Sequence, residues 1–357
     1  MSTPATEVTL LADLVRTPSV SGEEAAVAEL VQQQGRSFGL DAMRDATGVK
    51  IELAATRPGP TLALVSHLDV VPPGDGWTRE PFAAAIEDGR LYGRGSGDAK
   101  ASIAAMLCAA HDVATRGGPP HGRLLVILGY GEETRHTSMP EAVASVGEID
   151  AAVVGEPTNL DIAVAQRGLL MVDLVARGEQ RHAGYADADG GFVNATQQLA
   201  RDLVMLERVA RDRRHPVLGH PTITPTMLEA GVGRNITPPQ ARAVLDIRST
   251  PAWPHAELAD ELRRVLASEV VVTSDRLVPC ETPPGSRLLE TASRVRPEAR
   301  HFGSPTCSDW VFLRDKDTIK CGPGTSRNSH TPDEWVNLAE VSAARAFYAR
   351  LALAYLA

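Results

Sequence analysis

Apolar residues run along this chain in two different ways. In the first 160 residues they gather in short unbroken stretches: "TLALVSHLDVV" (61–71), "RLLVILGY" (123–130) and "AAVVGEPT" (151–158). Such runs, bounded by turn residues, read as strands buried on both faces. Between them, "AKASIAAMLCAAHDVATRG" (99–117) reads as a helix closed by Gly117-Gly118-Pro119, and "PEAVASVG" as a short helix. Residues 7–40 read as helix broken at "PSVSG", with Ser21 and Glu24 spaced as a capping box for the second piece. Strand, helix, strand, helix, strand is the order of a parallel α/β sheet.

After about residue 168 the period changes. "LLMVDLVARGEQ" alternates like a half-exposed strand, and "GGFVNATQQLARDLVMLERVARD" reads as a long helix. "TITPTMLEA" and "ARAVLDIRST" follow as strands, "PHAELADELRRVLASE" as a helix and "VVVTSD" as a strand. This β-α-β-β-α-β order is the split βαβ arrangement. From 283 the chain returns to helix ("SRLLETASRV"), a strand near "TIKCG" and a last helix over 337–356. The pattern predicts an α/β protein. A mainly parallel-sheet domain over 1–168 and 283–357 is interrupted by an inserted α+β, ferredoxin-like domain over 169–282.

Composition narrows the function classes. The chain has 357 residues, room for about two domains. A formal net charge of -9 argues against nucleic acid or an anionic membrane surface as partner. No run of about 18 apolar residues suggests a membrane span. The N-terminus lacks a basic stretch followed by an apolar core, so no secretory signal is expected and the cytoplasm is the expected compartment. The four cysteines, Cys108, Cys280, Cys307 and Cys321, form no C-x-x-C pair, which points to free thiols.

The candidate chemistry lies where the apolar runs stop. In open parallel sheets, ligands bind beyond the carboxyl ends of the strands. The first run ends in His67 and Asp69, and the segment "LYGRGSGDAKAS" offers Asp98 before a helix. The second run ends in the adjacent pair Glu132-Glu133, and the third in Glu156. Late in the chain, "CGPGTSRNSHTPDEW" offers His330. Each has an ordinary explanation when taken singly: a polar strand end, a helix N-cap, a solvated turn. Two adjacent glutamates repel and raise each other's pKa, so something has to offset that cost. Imidazoles and carboxylates together, with no thiolate, suit Zn²⁺, Co²⁺ or Mn²⁺, and the carboxylates suffice for two ions sharing a bridge. "GRGSGDAKAS" is no P-loop, because G-x-x-x-x-G-K-[ST] is absent. Nor is Ser96 a nucleophile elbow, since Arg94 and Asp98 stand where glycines are needed.

The ordered set H-x-D, "GRGSGDAK", "GEE", "GEPT" and "HTPDE" resembles the co-catalytic zinc aminoacylase and deacylase family. That family includes acetylornithine deacetylase, succinyl-diaminopimelate desuccinylase, carboxypeptidases and dipeptidases. The resemblance covers nearly the whole chain. It implies a homodimeric hydrolase with two Zn²⁺, for which Co²⁺ or Mn²⁺ can substitute. His67 and Glu156 would bind one ion, Glu133 and His330 the other, with Asp98 bridging. Asp69 would fix the imidazole of His67. Glu132 would act as general base and then general acid, which answers the cost of the glutamate pair: one member binds metal and the other faces the attacking water. The split domain would carry the zinc site, and the inserted one would serve as lid and dimerisation surface. In the latter, His182 would reach a partner's site to stabilise the oxyanion. Asn235, Arg248, Gly322 and Gly324 would bind the substrate carboxylate.

Two departures stand out. Arg181 replaces the small residue usual before the lid histidine, and "TRHTSMPE" with His136 follows the glutamates where relatives run Gly/Ala-rich. His136 reads as a bystander, and Cys307 and Cys321 as small buried side chains. The substrate expected is a small N-acyl amino acid of the N-acetyl-ornithine, N-acetyl-citrulline or N-acetyl-lysine type, in amino-acid biosynthesis. The alternatives are N-succinyl-diaminopimelate or, in the peptidase branch, a dipeptide or C-terminal residue.

Overall fold

The structure, a computed structural model, describes residues 5–186 and 192–357. It divides into two compact units: Met1–Val164 with Thr282–Phe302 and Ser308–Ala357, and Ala165–Glu281 with Gly303–Cys307. The α/β class with an inserted α+β segment, read from the apolar pattern, holds.

In the first unit the strands Arg123–Gly129, Thr61–His67, Ala151–Val154 and Asp317–Lys320 lie side by side and parallel. Every residue of Thr61–His67 is buried, as its unbroken apolar run requires. The sheet is extended on one side by a hairpin, Asp41–Asp45 and Gly48–Ala54, antiparallel to its neighbours. The apolar pattern did not reveal this hairpin, nor the strand Ile162–Gln166 beyond Asp317–Lys320. Helix Ala101–Thr115 is buried from Ala101 to Ala110 and packs with helices Thr6–Arg16 and Leu338–Tyr355. Leu11, Leu14, Met106 and Tyr348 lie in this core.

A second, three-stranded sheet of Ala85–Glu87, Arg90–Tyr92 and Trp335–Asn337 joins distant parts of the chain. Its pairing of Trp335 with Tyr92 sets the segment leading to Asp98 beside the segment leaving His330.

The expected capping box is absent. Helix Ala25–Ser37 starts from Glu24 with no side-chain cap bond. Ser21 Oγ instead donates to Asp69 (2.7 Å), and the Glu24 carboxylate accepts from the Gly131 N–H (3.2 Å). Tertiary partners with unmet hydrogen-bonding needs outcompeted the local motif.

The second unit holds a four-stranded antiparallel sheet in the order Thr222–Ala230, Gln240–Ser249, Gly168–Arg177, Glu269–Leu277. Alternate residues of its central strands, such as Leu170, Val172, Leu245 and Ile247, point into a core with Leu199, Leu258 and Leu262. The helix expected over this region is shorter than the sequence suggested. It begins at Ala195, where the Asn194 side chain accepts from the Thr196 and Gln197 N–H groups, and gives way to a tighter turn after Met205. No helix among the described residues is long and apolar enough to cross a membrane. None of the four cysteines is in a disulfide.

Candidate metal centre

The sheet delivers the candidate residues to one edge. His67 is the last residue of its strand, Glu132-Glu133 follow Gly129 through a short turn, and Glu156 lies two residues past Val154. His67 is fully buried, and its ring is oriented by what its two nitrogens meet. Nδ1 lies 3.0 Å from the Asp69 main-chain carbonyl and 3.4 Å from its carboxylate. Nε2 faces Asp98 Oδ1 at 3.3 Å and Glu156 at 3.7 Å. With the Nδ1 proton given to Asp69, Nε2 presents a lone pair to the other side.

Asp98 faces both ways. One of its oxygens is turned to His67, and the other lies 3.7 Å from His330 Nε2. His330 also meets the Glu133 carboxylate at 3.0 Å. Among the described residues, candidate ligand atoms fall into four groups, each with members within 4.8 Å of one another: His67–Glu132–Glu133, Glu132–His136–Asp309, and the pair His67–Asp98–Glu156 and Asp98–Glu133–His330. Asp98 is common to the last two.

Asp69 does more than orient the imidazole. Its carboxylate accepts from the main-chain N–H groups of Glu132 (3.0 Å) and Glu133 (3.1 Å), so it fixes the turn that carries the glutamate pair. Burial pushes the Asp69 carboxyl up, but the hydrogen bonds from His67, Ser21 and Glu133 more than offset this and hold it at about 2. Burial opposes charge on His67, yet Asp69 and Asp98, with Glu132 and Glu156 close by, raise its pKa well above the usual value. Glu132 is raised well above the carboxylate range by burial and by Glu156, Asp309 and Glu133. Glu156 is pushed to about 8 by burial and by Asp98. Hydrogen bonding to Glu133 raises His330.

These directions share one cause. Asp69, Asp98, Glu132, Glu133 and Glu156 crowd round the buried His67 and the more exposed His330, and two imidazoles do not supply enough positive charge. Two groups of borderline-to-hard donors sharing a carboxylate, in a site short of positive charge, fit a pair of divalent cations.

Two residues beside Glu132 complete its surroundings. His136 Nδ1 lies 3.0 Å from Asp309 and 3.7 Å from Glu132. His136 is therefore more than a bystander: it is buried and pairs with a second acid. Asp309 carried no signal in sequence, being one polar residue in "SPTCSDWVF".

Gly322 lies against the Glu156 segment, where a Cβ would come within 2.6 Å of the Glu156 carbonyl oxygen. Its N–H is bonded to Thr158 (3.1 Å), and that of Gly324 to Glu340 (2.8 Å). A ligand carboxylate would have to displace these bonds. Cys321 is buried, and burial pushes its thiol up to about 12. Cys307 is half-buried.

The second unit contains His182, Asn235 and Arg248. His182 is exposed, and its Nδ1 accepts from the Gly184 N–H (3.1 Å). It pairs by a β-bridge with Ile236, and the Asn235 carbonyl accepts from the Ala183 N–H (2.8 Å), so two segments far apart in sequence meet there. Arg248 is held by Asp246 through two hydrogen bonds, of 2.8 and 3.0 Å. Arg181 is bonded to Glu179 at 2.6 Å.

Known proteins share this architecture. A succinyl-diaminopimelate desuccinylase of Ruegeria sp. is 31% identical over 96% of this chain and 93% of its own. One from Cereibacter sphaeroides is 32% identical over 99% of this chain and 100% of its own. Among solved structures, the aminopeptidase PepT of Bacillus cereus has a TM-score of 0.82 at 20% identity, over 98% of each chain. A Bacillus subtilis protein described as a dinuclear metal binding peptidase has a TM-score of 0.75 at 16% identity, over 98% of this chain and 97% of its own. At such identities these two likenesses speak for the fold. The model of peptidase family M20/M25/M40 matches residues 63–354. The chain belongs to that family and is a hydrolase.

Proposed function

We propose that this chain hydrolyses the amide bond of an N-succinyl amino acid, with two divalent cations bound between its strand ends. The reaction class rests on one observation: two ligand sets that share Asp98. In this reading His67 and Glu156 hold one cation, Glu133 and His330 the other, and Asp98 both. Zn²⁺ is the expected ion, with Co²⁺ or Mn²⁺ as substitutes, given a donor set of imidazoles and carboxylates without thiolate. When bound, such ions polarise an acyl oxygen and acidify water. Glu132 takes the proton of the attacking water and passes it to the leaving nitrogen. The C–N bond breaks, the water oxygen stays on the acyl carbon, and a dicarboxylic acid and a free amine leave. Asp69 keeps Glu132 and Glu133 in place through their main-chain N–H groups.

The acyl group is read from the relatives. Relatives 31% and 32% identical are named succinyl-diaminopimelate desuccinylases. This favours the succinyl substrate over the N-acetyl amino acids that the sequence reading put first. In the second unit, His182, Asn235 and Arg248 are the candidate substrate contacts, His182 acting from a partner subunit on the oxyanion. A homodimer through that unit is supported by its edge strand Thr222–Ala230, where Met227 and Leu228 are exposed. The expected compartment is the cytoplasm.

The test is amine release by the Zn²⁺-loaded protein from N-succinyl-diaminopimelate, N-acetylornithine, N-acetylcitrulline, N-acetyllysine and two dipeptides, each with a chelator control. Fastest chelator-sensitive turnover of the succinyl compound is expected. Preference for an acetyl compound would restore the first reading, and preference for a dipeptide would move the chain to the peptidase branch.

A further inference from the structure

Asp98, the residue common to both ligand sets, sits on an irregular segment rather than at the end of a strand. Gly93 and Gly95 have φ of 153° and 79°, and a Cβ on Gly95 would meet Val70 at 2.4 Å. Asp98 itself has non-helical backbone angles. Sheet hydrogen bonding stops at Gly93, five residues short of Asp98, so something else has to place that residue.

The Glu334 carboxylate is what lies under it. One oxygen accepts from the N–H groups of Gly97 (2.9 Å) and Asp98 (3.1 Å). The other accepts from the N–H of Gly95 (3.0 Å) and from Arg94 Nη1 (2.6 Å). Both side chains of the ion pair are almost wholly buried, at 2% and 1% exposure. Arg94 reaches further, to the Pro73 carbonyl (3.1 Å) on the loop that follows His67 and Asp69, and to the Thr331 carbonyl (3.4 Å) beside His330. The Glu334 carbonyl accepts from the Gly93 N–H (2.8 Å). One buried pair thus joins three loops, which carry His67, Asp98 and His330.

We propose that Glu334 and Arg94 are positioning residues for the two-cation site, setting Asp98 between His67 and His330. The proposal rests on the two-cation reading above. Neither side chain touches substrate or cation; both act through the main chain of the ligand loops. Residues that orient metal ligands from outside typically change metal affinity by about 10–100-fold when replaced. Because Asp98 belongs to both sets, both binding steps should weaken together. A merely structural ion pair would lower stability and leave the affinities alone.

The experiment titrates metal-stripped full-length protein with Zn²⁺ against a chromophoric chelator, and records the visible spectrum of the Co²⁺-loaded form. Wild type is compared with Glu334→Gln and with Arg345→Met, which breaks an ion network of the same unit at Glu7 and Asp112. Glu334→Gln should weaken both Zn²⁺ steps by about 10–100-fold and alter the Co²⁺ bands. Arg345→Met should melt lower with both affinities unchanged. Wild-type affinities and bands in Glu334→Gln would overturn the proposal, as would equal weakening in Arg345→Met. If Glu334→Gln does not fold, Arg94→Lys replaces it. That variant keeps the charge but cannot span Glu334 and the Pro73 carbonyl, and unchanged affinities there would also overturn the proposal. Wild type that takes up fewer than two ions would sink the two-cation reading and this inference with it. Wild type with two ions and an indifferent Glu334→Gln would sink the inference alone.

Discussion

Two clusters of charge in the first unit are built differently. At Arg345, one guanidinium lies between two carboxylates, 2.6 Å from Glu7 and 2.7 Å from Asp112, and Ser342 also donates to Glu7. That network ties helix Leu338–Tyr355 to helices Thr6–Arg16 and Ala101–Thr115, and its groups satisfy one another. At the strand ends, Asp69, Asp98, Glu132, Glu133 and Glu156 crowd round two imidazoles, and Glu132 and Glu156 are pushed toward their protonated forms. The first arrangement is complete as a piece of structure. The second is costly to the fold by itself, and only a bound cation or a reaction accounts for it. Buried charge that closes on itself is architecture; buried charge left short of a counter-ion marks chemistry.

Removing one acid from the second cluster is the strongest way to break the comparison. Glu132→Gln should cut turnover by about 10²–10⁴-fold, the usual value of general acid–base help, with metal stoichiometry unchanged. The same variant should melt higher than wild type when both are metal-stripped, because it removes an acid that burial forces toward its protonated form at a cost in stability. Retained turnover would remove Glu132 as the base. A lower melting temperature would mean that the cluster is structural after all.

His330→Ala comes next. His330 is the more exposed of the two imidazoles and reaches only the Asp98–Glu133 set. Its loss should empty one position and leave the His67 set occupied, so that metal content falls from two ions toward about one and turnover falls with it. Full metal content by elemental analysis would take His330 out of the ligand set.

How much of this was visible in the sequence depended on distance along the chain. The buried strands announced themselves as unbroken apolar runs, and each stops where a polar ligand takes over, so His67, Glu133 and Glu156 could be read in place. The hairpin over residues 41–54 has no such run, since "DAMRD" and "KIELA" alternate with charge. Ser21 and Glu24 looked like a helix cap because their spacing fits one; their actual partners, Asp69 and Gly131, lie at least 48 residues away. Asp309 gave no local signal, and Glu334 stood in "HTPDE" with no role of its own to read. A carboxylate that holds main-chain N–H groups 236–239 residues distant leaves no spacing pattern to read. What the sequence shows well is which side chains end a strand. What it conceals is which side chains hold those ends still.

The reverse experiment is Arg345→Met. Removing the half-buried guanidinium strands the buried Glu7, and a loss of about 1–3 kcal/mol is expected by denaturant unfolding. The folded variant should keep its metal and its turnover number at saturating substrate. A matching collapse of turnover in fully folded protein would show that the two charge clusters are not independent.

Lys100 is a third buried charge and the finest test of the rule. Its amino group donates to the carbonyls of Leu14 and Thr17, each at 2.9 Å, tying the segment after Asp98 to the first helix. These partners are dipoles, and burial lowers its pKa to about 7, with Glu334 opposing. Folded, it therefore binds fewer protons than the unfolded chain between about 7 and the free lysine value of about 10.4. Its contribution to stability is present in full above the upper value and is lost as pH falls through about 7. Stability of the metal-loaded protein should thus gain from Lys100 as pH rises from neutral to about 9.5, and Lys100→Met should remove that part of the slope. Parallel stability curves for wild type and variant would mean that the lysine stays charged in the fold. It would then belong with Arg345 among the charges the structure compensates.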